Sequence, residues 1–197
     1  MTIQEIASKH SIVLASNSPR RKDLLNGLDI PYSVVTLPDV DESFPPTLSG
    51  KEIPLYISRK KSEAYLPFME DDTLLITADT IVWLNEKVYG KPSGKEGARQ
   101  MLKTLSGKTH QVITGVTIRT KKNETSFASV SEVTFATLSD EEIDYYLEKY
   151  QPYDKAGAYG VQEWIGYIGV ENIKGSYFNV MGLPIQRLYR ELKEFLE

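Results

Sequence analysis

The residues best placed to do chemistry begin in Ile12-Val-Leu-Ala-Ser-Asn-Ser-Pro-Arg-Arg-Lys-Asp-Leu-Leu25. Ile12 to Ala15 is a short apolar run of the kind a sheet interior accepts. Ser18 has the side chain of a helix cap. Pro19 suits a first helical turn, because its missing N–H would be unpaired there anyway. Free amides of that turn, beside Arg20 and Arg21 and close to Ser16 and Ser18, have the makings of an anion site with phosphate as the guest. An ordinary strand–helix corner with solvated arginines fits the same spacing.

Asp79 interrupts an apolar stretch, Leu74-Leu-Ile-Thr-Ala78 before it and Ile81-Val-Trp-Leu84 after it. A carboxylate held among such residues must be paired, hydrogen-bonded or bound to a metal. The alternative is a bulge or turn where Asp79 bonds backbone amides. Lys61 is the second anomaly: Ile53, Ile57, Lys61 and Ala64 share one helical face, so the lysine either snorkels outward or meets a buried anion. Lys60 lies off that stripe and is expected to be solvated. Asp41 and Glu42 lie in a loop, where acids are usually solvated but can also hold a hard cation. Lys91 follows a hairpin, where it either closes a phosphate pocket or decorates a turn. In Asp154-Lys-Ala-Gly-Ala-Tyr-Gly-Val-Gln162, small residues allow close approach of a ligand, and Gln162 has the donor and acceptor needed to read a base edge. Cationic groups and acids able to hold a hard metal, with no Cys, His or Ser machinery, favour phosphate-ester or anhydride chemistry.

The elements that must carry these groups follow from periodicity. Strands are predicted at Ile12–Ala15, Ile30–Leu37 and Thr73–Leu84, the last broken at Asp79-Thr80 and turning back at Asn85-Glu86 into Val88-Tyr89. Pro38 to Pro46, with three prolines and three acids, is a loop. Helices are predicted from Pro19, over Ile53–Leu66, and after two capping boxes, Ser93-Gly-Lys-Glu96 and Ser139-Asp-Glu-Glu142. Strands His110–Ile118 and Phe127–Thr137 flank a polar turn and form a hairpin. Residues 156–180 are Gly-rich and β-prone, and a terminal helix begins at Pro184. The expected class is α/β, with a mixed central sheet flanked by helices and a hairpin-rich middle forming a second lobe with a cleft between.

Composition narrows the function. The 197 residues suffice for one domain over 1–197, or two lobes sharing one sheet. A net charge of −4 argues against coating a nucleic-acid polymer. No apolar run is long enough for a membrane span and no leader is apparent, so a cytoplasmic protein is expected. The absence of cysteine excludes thiol nucleophiles and thiolate metal sites. The two histidines, His10 and His110, lie in a polar lead-in and at the start of a strand. Each is expected to be structural or solvated.

The segment Leu14-Ala-Ser-Asn-Ser-Pro-Arg-Arg-Lys-Asp-Leu-Leu25 resembles the signature of the Maf family of nucleoside triphosphate pyrophosphatases. The likeness continues through Val40-Asp-Glu42, Lys61, Ala78-Asp-Thr80, Gly90-Lys-Pro92 and Leu105-Ser-Gly-Lys-Thr-His110. It extends over 154–162 and Gly175-Ser-Tyr-Phe-Asn-Val-Met-Gly-Leu-Pro184. The resemblance implies an elongated, two-lobed fold related to that of inosine triphosphatase. It implies metal-dependent cleavage between the α- and β-phosphates of a nucleoside triphosphate, with Asp79 as base, metal ligand or both. Arg20, Thr80 and Gln162 resemble the branch acting on dTTP and UTP rather than the branch acting on 7-methyl-GTP. Glu163-Trp164 departs from the family pattern, which usually continues with Gly. The expected machinery is Asp79, Lys61 and Lys91 for catalysis, with Glu42 and Asp79 for the metal. Ser16, Ser18, Arg20, Arg21, Thr80 and Gln162 are expected to bind substrate. A house-cleaning enzyme for modified nucleotides keeps this chemistry with looser specificity. A nucleotide-binding regulator of septum formation is the reading from a different class, and a homodimer is what the family suggests.

Overall fold

The computed structural model describes residues 2–196. Eight α-helices and seven strands are assigned among them. In chain order, the first half holds α1 (Ile3–Lys9), β1 (Ser11–Leu14), α2 (Pro19–Asn26), β2 (Ser33–Val34), α3 (Glu52–Tyr65), β3 (Thr73–Leu84) and β4 (Lys87–Tyr89). The second half holds α4 (Gly94–Leu105), β5 (Thr109–Arg119), β6 (Glu124–Phe135), α5 (Asp140–Tyr150), α6 (Trp164–Gly169), β7 (Val170–Lys174), α7 (Tyr177–Met181) and α8 (Ile185–Leu196). The strands form one mixed sheet in the order β2-β1-β3-β5-β6-β7, with β4 also on β3. β1 is parallel to β2 and to β3, with Leu14 opposite Ile76, whereas β4 and β7 pair antiparallel to β3 and β6. No helix among the described residues is long and apolar enough to cross a membrane.

The chain divides into two compact units. The first takes in the chain up to Asp79, Thr114–Ser129 and everything from Gly182 onward; the second is Thr80–Ile113 and Val130–Met181. In the first, Leu14, Leu25, Ile53, Leu74 and Ile76 are fully buried. Gly115 of β5 allows the start of α3 to approach the sheet, because a Cβ there would lie 2.3 Å from the Pro54 carbonyl carbon. The second unit has one large core in which Leu102, Leu105, Val133, Phe135, Tyr146 and Ile165 meet.

Several expectations are corrected. The polar lead-in is helix α1: Thr2 and Glu5 form a reciprocal capping box, and Ile3, Ile6 and Ala7 are buried. The strand expected over 30–37 shrinks to Ser33–Val34. Pro31 removes a ladder donor there, and the Tyr32 hydroxyl donates to Lys22 O at 3.0 Å, tying the chain to α2 instead. β3 runs through Asp79-Thr80 without a break. The Ser139 capping box forms with both of its bonds. The Ser93 box does not form, since Ser93 makes no side-chain cap bond. The 156–180 region holds short helices beside a single strand. Tertiary bonds override local preference there: Asn179, fully buried on α7, donates to Val112 O at 3.1 Å and Ser131 Oγ at 3.0 Å.

Candidate active site

The first unit holds seven of the ten expected residues. Asp79 ends a run of buried β3 positions. The stripe of α3 that buries Ile53 and Ile57 carries Lys61 toward the same sheet. Its ammonium lies 3.0 Å from Asp79 Oδ1 and 2.8 Å from Glu42 Oε1. The lysine therefore meets a buried anion, Asp79, rather than snorkelling, and an exposed one, Glu42, beside it. One cation between two carboxylates leaves the cluster one negative charge in excess, in a place where Lys61 and Asp79 are mostly shielded from water.

Glu42 sits in an irregular loop, so something must hold it there. Asp41 accepts from Lys60 Nζ at 2.5 Å and from Ser43 N and Oγ at 2.9 and 2.8 Å. Lys60 also donates to Ser43 O at 3.1 Å. The Lys60 hydrogen bond, helped by the Ser43 amide, holds the Asp41 carboxyl well below the usual carboxylate range. Lys60 is thus paired, contrary to the expectation that it would be solvated. Two consecutive acids of the loop meet two consecutive lysines of the helix.

The Ser-rich corner is built as expected. Ser18 caps α2 by accepting Arg21 N at 3.4 Å, and Ser16 Oγ, buried, accepts Ser18 N at 3.2 Å. Arg20 is half-buried in the first turn of α2. Arg21 is braced into the fold: Nε donates to Gly182 O at 2.8 Å and Nη1 to Ala78 O at 3.0 Å. Burial lowers the Arg21 pKa, and the charge of Asp79 opposes that shift. Arg21 therefore supports the backbone immediately before Asp79 while adding positive charge to its surroundings.

The remaining expected residues belong to the second unit. Thr80 is half-buried on β3, and Lys91 is exposed in the corner between β4 and α4. That corner is tied to the 155–163 segment, because Gly90 O accepts Gly157 N at 3.1 Å. Gln162 is half-buried, yet its Oε1 is shielded from water and has no hydrogen-bond partner. Around it lies a network that sequence reasoning missed. Lys155 is only 8% exposed and pairs with Asp154 at 2.9 Å and Glu163 Oε1 at 3.1 Å. Glu163 Oε2 accepts from the Tyr146 hydroxyl, which in turn accepts Gly160 N at 3.0 Å. Lys155 lay inside a stretch of small residues that drew attention to its backbone, while Tyr146 looked like one more residue of a core face. Gly166 closes the segment against Val161: a Cβ at 166 would lie 1.8 Å from Val161 O.

His110 is structural. It is buried, its Nε2 lies 2.7 Å from the Tyr159 hydroxyl, and burial depresses its pKa to about 4. Among the described residues no cluster of three or more Asp, Glu, His or Cys is arranged to hold a metal. A Mg²⁺ or Mn²⁺ that keeps water and takes its other oxygens from phosphates needs only one or two carboxylates. Glu42 and Asp79, both against the same ammonium, fit that requirement.

Residues 11–195 match the family model described as Maf-like protein. The chain is 64% identical over 186 residues to the dTTP/UTP pyrophosphatase of Bacteroides thetaiotaomicron, covering 94% of this chain and 96% of that one. It is 62% identical over 191 residues to the dTTP/UTP pyrophosphatase of Parabacteroides distasonis, covering 97% and 99%. The solved structure of the Staphylococcus aureus Ham1 protein superimposes with a TM-score of 0.53 at 19% identity, over 94% of this chain and 99% of that one, a likeness of fold.

Proposed function

The chain belongs to the Maf family, and from that premise we propose that it hydrolyses dTTP and UTP at the α–β phosphoanhydride, giving the monophosphate and pyrophosphate. The observation that carries the chemistry is the Glu42–Lys61–Asp79 cluster, in which Lys61 and Asp79 are shielded from water and Glu42 reaches in from the surface. Water adds to the α-phosphorus, the bond to the bridging oxygen breaks, and pyrophosphate leaves with that oxygen.

Asp79 orients the attacking water and accepts its proton. Lys61 and Lys91 offset the negative charge that grows on the leaving pyrophosphate. Ser16, Ser18, Arg20 and the helix start they flank grip the triphosphate, with Arg21 adding charge from its braced position. Glu42 and Asp79 would hold a divalent cation, which supplies Lewis-acid polarisation of phosphate oxygens. Lys61, in contact with both acids, would turn its ammonium toward phosphate when those acids are otherwise engaged. Thr80, Gln162 and Arg20 favour a pyrimidine, and the buried, unpartnered Gln162 Oε1 supports a base-reading role for that side chain. A homodimer working in the cytoplasm goes with this reading.

The test is release of pyrophosphate by the purified protein with Mg²⁺ and dTTP or UTP. Asp79→Asn should lower the rate about 10²- to 10⁴-fold. Release of orthophosphate in place of pyrophosphate would put the cleaved bond elsewhere.

A further inference from the structure

Glu163 stands one residue from the side chain proposed to read the base. Left free, a carboxylate there would repel a triphosphate and compete for hydrogen bonds with the base. It is not free. Oε1 is 3.1 Å from Lys155 Nζ and Oε2 accepts from Tyr146 OH, so both oxygens are engaged. Tyr146 also accepts Gly160 N at 3.0 Å, and Glu163 N donates back to Gly160 O at 3.0 Å. A Cβ on Gly160 would lie 2.9 Å from Glu163 Cδ and 3.1 Å from Lys155 Cε, so the turn is folded directly onto the ion pair.

Taking Lys155 and Glu163 out of water is unfavourable unless the geometry returns that energy. Stability alone would be served as well by apolar side chains. What the network does fix is the backbone on both sides of Gln162, with Tyr146 and Lys155 holding Gly160 and Glu163. Gln162 Oε1 is left buried and without a partner inside that frame. A buried acceptor without a donor is unfavourable until a ligand provides one.

We propose that Glu163, held by Lys155 and Tyr146, is a positioning residue that fixes Gln162 for base recognition and so sets pyrimidine selectivity. The inference rests on the proposed triphosphate hydrolysis and adds a determinant to it. Glu163 does not touch substrate in this role; it acts through Gln162. Removing it should affect substrates that engage Gln162 and spare those that do not.

The experiment compares dTTP with an abasic deoxyribose 5′-triphosphate for the wild type, Glu163→Gln, Gln162→Ala and the double variant. Glu163→Gln should lower kcat/KM for dTTP about tenfold, mainly through KM, and leave the abasic substrate within about twofold of wild type. In the Gln162→Ala background the same change should have no further effect on dTTP. Tyr146→Phe, which keeps the Lys155–Glu163 pair, should move dTTP in the same direction, and it carries the test if Glu163→Gln does not fold. Equal loss on both substrates, or full additivity with Gln162→Ala, overturns the positioning role while leaving the hydrolase intact. A wild-type protein that releases no pyrophosphate from dTTP overturns the hydrolase reading and this inference with it.

Discussion

Lys61 stands between two acids that a divalent cation would also seek. A divalent cation held there, as proposed, would compete with the ammonium for the same oxygens. Lys61→Gln should separate the two roles: turnover of dTTP falls about 10²-fold or more, while Mn²⁺, followed by its EPR signal without nucleotide, binds at least about threefold more tightly. Weaker Mn²⁺ binding by this variant would remove Glu42 and Asp79 as the metal pair. Asp79 and Lys61 were legible because each broke an apolar pattern, and burial of a charge in such a pattern demands a partner. Which partner was not legible, since Glu42 is 19 residues from Lys61 in sequence and comes to it through a loop without periodicity. Lys155 and Tyr146 escaped for the opposite reason. One was hidden by a Gly- and Ala-rich segment, the other by a helical stripe that does not distinguish a tyrosine using its ring from one using its hydroxyl.

Loop 38–46 has no ladder of its own, and its position depends on the Asp41–Ser43–Lys60 bonds. Lys60→Gln should raise the Mg²⁺ concentration needed for half-maximal rate severalfold with little change in the rate at saturation, read from a Mg²⁺ titration. Salt should weaken the wild type in the same direction, because the Asp41 side of this pair is exposed. The two helix starts with capping-box spacing make a matched pair. Ser139→Ala should lower the unfolding free energy by about 1 kcal/mol, whereas Ser93→Ala should stay within about 0.5 kcal/mol, both measured by urea unfolding. The elements best read from sequence were those with long amphipathic stripes, such as α4 and α5. Those least well read were β2 and the 156–180 helices, where Pro31, the Tyr32 hydroxyl and buried Asn179 overrule local preference through distant bonds.

For the molecule as a whole, acid should act through His110. Its pKa falls from 6.5 to about 4 on folding because burial penalises the charged ring. Between those values the unfolded chain binds the extra proton and the folded chain does not, so stability is fully present above pH 6.5 and declines as pH drops toward 4. The loss amounts to about 3 kcal/mol. His110→Gln should flatten that part of the curve, whatever it does to stability at pH 7; an unchanged slope would assign the acid sensitivity to other groups. The mixed sheet and the order of most elements were foreseen, because alternating and helical periods report burial directly. The division of the chain between Asp79 and Thr80 was not, since it falls inside an uninterrupted strand. Gly166 is silent in every chemical argument, yet it has no room for even a methyl group against Val161. A survey of tolerated substitutions would score it as unforgiving as Asp79. Only cellular abundance would separate the two: Asp79 variants should accumulate as inert protein, and Gly166 variants should disappear.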